Sequence, residues 1–212
     1  MTERSFSVAR GRVVAALVGA GILLSACQGG SPTPGNSPTA SSTSASPSAT
    51  PSPTPSAKYV PASAKGKAQN VPVPVKPALA DQNSKAGLEA FTKYWFALLS
   101  YGYETGDLTE WSKVSSDTCV FCSNLKTGVK DSFNAGGWQA GGTFKTPSVK
   151  ATLSTSGSKN AVEVQVLQAA TSYYKKDGTA AAPSDPSGNS AVVVFARFKD
   201  GSWFVDDMNP LR

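Results

Sequence analysis

The hydrophobic positions of the chain follow a helical period first and a period of two later. Leu88, Phe91 and Trp95 recur at the i, i+3, i+7 spacing that places apolar side chains on one face of a helix. This pattern predicts a long helix from about Ser84 to Glu104. Gly106 is expected to end it, because glycine readily adopts the left-handed conformation found at helix C-termini.

Two shorter helices are predicted after this one. Asp107 has the side chain of an N-cap, and Glu110 stands at the position of its capping-box partner. A further helix is expected to stop at Gly136-Gly137. The apolar positions of these two helices are Leu108, Trp111, Val114, Cys122, Leu125, Val129 and Phe133.

Beyond Trp138 apolar and polar residues alternate, which is the period of a half-buried strand. One strand is predicted over Val149–Leu153. The next is predicted over Val162–Val166 and continues toward Tyr174, with a turn at Ser156-Gly157-Ser158 between the two. These strands should form a hairpin with one face buried.

The last two predicted strands form a second hairpin. Ala191–Phe198 and Trp203–Met208 flank Asp200-Gly201, whose tolerance of positive φ suits a tight turn. A loop rich in Gly, Ala, Pro and Asp is predicted from Lys175 to Asn189. The C-terminal half is therefore expected to be an antiparallel meander.

Helices followed by an antiparallel sheet predict an α+β domain, with N-terminal helices packed on a curved sheet. This order resembles the cystatin-like cone fold shared by ketosteroid isomerases and nuclear transport factor, over roughly Asp81 to Arg212. The stretch from Phe91 through Tyr103, Gly106-Asp107, Trp111 and Cys119-Val120-Phe121-Cys122 is similar to uncharacterised actinobacterial lipoproteins. That second resemblance implies a cell-envelope location and no assigned activity.

The N-terminus has the pattern of an export signal. Three arginines among the first twelve residues precede an uncharged apolar run from Val13 to Leu24. As a helix this run spans about 18 Å, well short of the roughly 30 Å hydrocarbon core of a bilayer. Leu24-Ser25-Ala26-Cys27 resembles the bacterial lipobox, which implies cleavage between Ala26 and Cys27 and a diacylglycerol on the Cys27 thiol. An ordinary secretory signal with a chance cysteine is the alternative.

The predicted domains are a signal peptide over residues 1–26, a lipidated N-terminus with a linker over 27–80, and a globular domain over 81–212. From Ser31 to Ala57 almost every residue is Ser, Thr, Pro or Ala. Such a segment has too little apolar surface to offset the entropy of ordering, so we expect a disordered linker, either plain or O-glycosylated. The expected location is the outer face of the plasma membrane.

The amino-acid composition excludes several classes of functional site. The chain contains no histidine, which excludes Ser-His-Asp and Cys-His catalytic sites and metal sites with histidine ligands. The formal charge is +6, but no arginine-rich helix or basic-aromatic pattern indicates nucleic-acid binding. No cofactor-binding motif is present, because the glycine pairs lack the Lys-Ser/Thr of a phosphate-binding loop. We therefore predict neither cofactor nor metal.

Cys119 and Cys122 are the two cysteines left once Cys27 is lipidated. The compartment outside the membrane is oxidising, so we expect a structural disulfide that fixes the entry to the third helix. A thiol-disulfide exchange site is the alternative, since a Cys-x-x-Cys at a helix N-terminus has a lowered thiol pKa. The preceding segment, however, is not predicted to be the strand of a thioredoxin-like unit.

A cone-shaped enzyme would use a carboxylate base and a tyrosine hydroxyl in an apolar pocket. Candidate groups here are Asp206 or Asp207, of which the period of two directs one inward, with Glu163, Tyr94 and Tyr101. The tryptophans could line a pocket, although they equally suit a core. The residues assigned to a possible pocket are Tyr94, Trp95, Trp138 and Asp206.

The sequence favours a non-enzymatic envelope module, anchored through Cys27, that binds a cell-wall component, a small apolar ligand or a protein partner. A small isomerase- or hydrolase-like enzyme is the second class. A thiol-disulfide factor acting through Cys119 and Cys122 is the third.

Overall fold

The computed structural model describes residues 57–155 and 159–211, and within them helices pack against two antiparallel sheets. The helices are α1 (Lys85–Thr105), α2 (Thr109–Lys113) and α3 (Val120–Phe133), with single 3₁₀ turns at Ala78–Asp81 and Asn134–Gly136. The strands are β1 (Trp138–Gly141), β2 (Phe144–Thr152), β3 (Asn160–Gln168), β4 (Thr171–Tyr174), β5 (Ala180–Asp185), β6 (Gly188–Lys199) and β7 (Ser202–Pro210). The predicted α+β class is confirmed.

The long helix begins and ends as its sequence predicts. The Ser84 side chain accepts a hydrogen bond from the Gly87 amide at 3.0 Å and caps the N-terminus of α1. Gly106 lies in the left-handed region, with φ of 78°, and its amide bonds to the Gly102 carbonyl. α1 therefore has a defined length, and its buried face can lie along the larger sheet.

The second helix begins slightly later than predicted. Leu108 is its N-cap, while Asp107 Oδ1 accepts the Thr109 amide at 2.9 Å. The Asp107 amide donates to Thr105 Oγ1 at 3.1 Å, and Glu110 pairs with Lys113, in place of the predicted capping bond between Asp107 and Glu110. α3 ends near its predicted position, just before the 3₁₀ turn that leads to Gly137.

The larger sheet has the order β2-β3-β6-β7 and carries the core. Its buried residues pack against Leu88, Phe91 and Trp95 of α1. Asp200 and Gly201 both have positive φ and make the tight β6–β7 turn that their sequence predicts. The residues this sheet contributes to the core are Ala151, Val162, Val164, Val166, Val192, Val194, Ala196, Trp203, Val205 and Met208.

Both edges of this sheet are covered in part. On β2 the Ala151 amide donates to Glu89 Oε1 of α1 at 3.0 Å. On β7 the Val205 amide and carbonyl bond to Val114 and Ser116 at 2.9 and 2.8 Å. Pairing of this kind protects strand edges from association with other chains.

A smaller sheet, in the order β1-β4-β5, was not predicted. The strand expected to continue to Tyr174 ends at Gln168, and Ala180–Asp185, placed by its composition in a loop, forms β5. The two sheets meet where Gly141 and Gly142 have positive φ, and the Gly142 amide bonds to Ala170 O at 3.1 Å. A Cβ on Gly141 would stand 2.0 Å from that carbonyl oxygen, so the bend requires glycine.

The folded part begins earlier than the predicted boundary at Asp81. Residues 58–70, which we call the basic hairpin, turn back on themselves through Val60–Gln69 and Ser63–Gly66 backbone bonds. Trp138 Nε1 donates to Ser63 O at 2.9 Å and holds the hairpin on the domain. The predicted linker, residues 27–80, therefore extends too far toward the C-terminus. The composition of a segment does not reveal the contacts that it makes with residues far along the chain.

Candidate ligand-binding cleft

A cleft of about 870 Å³ lies beside the smaller sheet. It lies between the C-terminal end of α3 and strands β4 and β5. α3 packs against β1, whereas all six residues of β5 are exposed. The cleft is therefore bordered by the helix end on one side and by the exposed strand β5 on the other.

The rim next to α3 is shaped by an unusual turn. Ala135 has φ of 50° and Gly136 has φ of 84°, so two consecutive residues take the left-handed conformation. For alanine this costs about 1–2 kcal/mol. Asn134 supports the turn, since its Oδ1 accepts the Ala135 amide at 2.8 Å and its carbonyl accepts the Gly137 amide at 3.0 Å.

One wall of the cleft carries a tyrosine joined to a carboxylate. The Tyr173 hydroxyl donates to Asp185 Oδ2 at 2.6 Å, which links β4 to the end of β5. Burial raises the pKa of Tyr173 well above its usual range, and the hydrogen bond to Asp185 raises it further. Tyr173 therefore stays protonated at any physiological pH and acts as a fixed donor.

Beneath this wall lies a buried polar layer. Gln139 Nε2 donates to Ser132 Oγ at 2.8 Å, and Ser132, which lines the cleft, donates in turn to Gly128 O. Gln139 Oε1 and Thr171 Oγ1 are buried without a hydrogen-bond partner among the described residues. Burial also raises the pKa of Tyr103 in the adjacent part of α1.

Charges of both signs surround the opening. Lys175 and Lys176 contribute ammonium groups, and Asp131 and Asp177 contribute carboxylates. Thr179 donates from its hydroxyl and its amide to Asp177 Oδ1, at 2.7 and 3.0 Å, and these bonds lower the pKa of Asp177. The cleft thus offers methyl groups, an aromatic wall and a mixed rim, which suit a ligand that is partly apolar and carries both charges.

The four residues assigned to a possible pocket do not come together. Trp95 lies in the core, with Nε1 bonded to Ser115 Oγ at 2.8 Å. Trp138 is buried and stacks on Tyr174, which lines the cleft, but its own indole bonds to the basic hairpin. Tyr94 is half-buried in a separate shallow groove on the outer side of α1.

Asp206 forms an ion pair with Arg197 on the neighbouring strand. The prediction that Asp206 or Asp207 points into the core is wrong. Ala196 pairs with Val205 and Phe195 with Asp207, so Asp206 is an extra residue on β7. This bulge resets the alternation, and Met208 takes the inward position instead.

The other predicted acid and tyrosine also lie outside the cleft. Glu163 is exposed on β3, and Tyr101 lines a small cavity beside α1 and α2. No predicted catalytic group therefore reaches the opening, while the residues that form it, such as Tyr173 and Ala182, were not singled out from the sequence.

Cys119 and Cys122 form the expected disulfide. Cys119 Sγ accepts the Cys122 amide at 3.1 Å, so the pair also caps the N-terminus of α3. Their exposed fractions are 0% and 3%, which leaves little sulfur surface for a second thiol to attack. The disulfide therefore lies where it stabilises the first turn of α3.

Ala26 and Cys27 lie outside the described residues, as does the predicted turn at Ser156-Gly157-Ser158. Among residues 57–155 and 159–211, no helix is both long and apolar enough to cross a membrane.

Comparisons with known proteins give a family and weak structural likenesses. A model described as a family of unknown function (DUF6318) matches residues 57–209. The intermembrane space region of chloroplast protein ARC6 is similar, at 10% identity and a TM-score of 0.46, covering 61% of this chain and 98% of that one. A putative polyketide cyclase from Xanthomonas campestris pv. campestris is similar at 12% identity and a TM-score of 0.30, and the match covers 54% of this chain and 84% of that one. No curated protein matches.

Proposed function

We propose a function for this chain, which belongs to the DUF6318 family of unknown function. The protein is a non-enzymatic binding module of the cell envelope. Cys27 carries the diacylglycerol that holds it on the outer face of the plasma membrane. The cleft between α3 and β5 is its binding site. The occupant is an extended peptide segment of an envelope protein or cell-wall component.

The observation that carries this proposal is the open strand beside the cleft. β5 pairs with β4 on one side, and no described residue pairs with its other edge. An exposed strand edge accepts an extended peptide through main-chain hydrogen bonds, and neighbouring pockets then select side chains. Ala181 and Ala182 present only methyl groups, so a second backbone can approach closely. Pro183 lacks an amide hydrogen and limits how far the pairing runs.

The charges around the opening favour a peptide over a polyanion. Lys175 and Lys176 are balanced by Asp131 and Asp177, which matches a chain carrying both signs. Tyr173 is held neutral and bonded to Asp185, so it suits hydrogen bonding better than proton transfer. These features support recognition in preference to catalysis.

Filling the cleft tests the assignment. Random ten-residue peptides displayed on phage are selected against the mature chain, and the affinities of the enriched peptides are measured by titration calorimetry. The Ala182→Trp variant should lose at least tenfold in affinity, because the indole occupies the space next to Tyr173. Ala86→Trp, an equal change at an exposed position of α1, should bind normally.

Equal binding by wild type and Ala182→Trp would refute the cleft as the peptide site. Turnover of a chromogenic ester or of a Δ5-ketosteroid by the wild type, abolished in Asp185→Asn, would refute the non-enzymatic assignment.

A further inference from the structure

We infer that the basic hairpin (residues 58–70) is a docking surface for anionic lipid head groups, and that it orients the domain on the membrane to which Cys27 ties it. The inference rests on the proposed lipid anchor for its location. It adds a second contact with the bilayer, made by the folded protein itself.

The first observation is a one-sided charge. Lys58, Lys65 and Lys67 lie within the hairpin, and no acidic residue occurs between Ala57 and Ala80. All three side chains are exposed, and none forms an ion pair with another described residue. The β4–β5 turn, which lies against the hairpin at Gly178, carries charges of both signs and does not change this excess.

The second observation is that these lysines are held on a fixed scaffold. Ser63 O accepts the Trp138 indole at 2.9 Å, which anchors the tip of the hairpin. The Lys67 ammonium stands 5.8 Å from the centre of the Phe133 ring. Ala64 O lies so close to Gly178 that a Cβ there would be 2.6 Å away. Because the hairpin is packed in this way, its charges hold one direction relative to the cleft.

The third observation favours a lipid surface over a soluble polyanion. Tyr59 is 39% exposed and Val60 is 46% exposed, and the two follow Lys58 in the chain. The Tyr59 hydroxyl is bonded to Glu104, so the ring is fixed with an open face. Aromatic and aliphatic groups beside lysines are typical of surfaces that enter the head-group region of a bilayer.

The anchor supplies the local concentration that a weak contact needs. About 30 residues separate Cys27 from Ala57, and a fully extended chain of that length spans at most about 100 Å. A tethered domain therefore meets the bilayer as an intramolecular partner. Each lysine near an anionic surface contributes about 1 kcal/mol, which is roughly a fivefold change in partitioning.

The test separates this contact from the anchor by removing the lipid. The whole mature chain carrying Cys27→Ala is sedimented with vesicles of 70% phosphatidylcholine and 30% phosphatidylglycerol at low salt. It should bind these vesicles, release at 0.5 M salt, and fail to bind vesicles of phosphatidylcholine alone.

Substitution identifies the surface. Adding Lys58→Gln, Lys65→Gln and Lys67→Gln should lower partitioning at least tenfold, and each single change should lower it several-fold. The matched control carries Lys85→Gln, Lys93→Gln and Lys150→Gln, three exposed lysines of α1 and β2 that form no ion pair among the described residues. It has the same net charge and should bind like the parent.

Equal loss in the hairpin and control variants would overturn the inference, because net charge alone would then explain binding. Preference for a soluble glycerol-phosphate polymer over the charged vesicles would overturn it in favour of a cell-wall polyanion. Neither result depends on lipidation of Cys27 or on the cleft, so the failure of this inference is distinguishable from failure of the proposed function.

Discussion

Single hydrogen bonds to carboxylates organise several positions of this protein. Glu89 of α1 accepts the amide of Ala151, a residue of the outer strand β2. Asp185 accepts the Tyr173 hydroxyl and links the end of β5 to β4. Ala151 is buried, so loss of the Glu89 acceptor leaves its amide unpaired and has a cost larger than the bond itself.

Replacing Glu89 with alanine should lower the free energy of unfolding by about 1–3 kcal/mol, because the Ala151 amide is then left without its acceptor. Glu89→Gln keeps an acceptor oxygen and should retain most of the stability. Glu163→Ala, at an exposed acid of β3, should change the unfolding free energy by no more than about 0.5 kcal/mol. Urea unfolding followed by tryptophan fluorescence measures all three, and equal losses in the two alanine variants would contradict this role of Glu89.

At the scale of elements, the bend between the two sheets decides where the cleft lies. β1 and β2 run opposite β4 and β3, and the chain turns at Gly141-Gly142. The smaller sheet begins after this bend with β1, which packs against α1 and α3, and ends at β5, whose six residues are all exposed. The bulge at Asp206 acts in a comparable way on β7, where one extra residue reverses the faces of the positions that follow.

Gly141→Ala should destabilise the fold by about 2 kcal/mol or more. Its φ of 83° is strained for an L-residue, and the added Cβ would collide with Ala170 O. Gly128→Ala is the matched control, since the position is inside α3 and the new Cβ would have no atom within 4 Å beyond its chain neighbours and the backbone of the helix itself. That change should instead stabilise the protein by about 0.5–1 kcal/mol. Thermal unfolding of the two variants distinguishes a bend that needs glycine from one that tolerates any small residue.

At the scale of the whole molecule, anchor, basic hairpin and cleft form one proposed arrangement. In this proposal the lipid on Cys27 restricts the protein to the bilayer, the hairpin sets its orientation, and β5 receives the partner. Two acyl chains hold a protein stably on a membrane, with about 0.8 kcal/mol for each buried CH₂. The three lysines supply only a weak additional attraction, so they orient the domain without being able to retain it.

Replacing Cys27 with alanine should release the protein from membranes when it is expressed in a lipoprotein-processing bacterium at physiological salt. The hairpin alone is too weak to hold it there. Fractionation with immunoblotting measures the release, and the mass of the wild-type N-terminal peptide should include the lipid. Unchanged retention of the alanine variant, or an unmodified Cys27 in the wild type, would contradict the anchor.

Local patterns in the sequence determined the elements that rely on nearby residues. The apolar stripe of α1, its start at Ser84, its stop at Gly106 and the β6–β7 turn at Asp200-Gly201 all follow from side chains and φ angles a few positions apart. The disulfide between Cys119 and Cys122 is equally local, at three residues' separation. These features were predictable because the interactions that form them lie within the segments themselves.

The tertiary structure alone decided the cleft and the start of the folded region. Ala180–Asp185 has the composition of a loop and becomes a strand because β4 offers it a paired edge. Residues 58–70 have no helical or strand period and become ordered through contacts such as Ser63 with Trp138, which are 75 positions apart. Strand pairing and packing over such distances depend on where the chain returns in space, and no window of neighbouring residues contains that information.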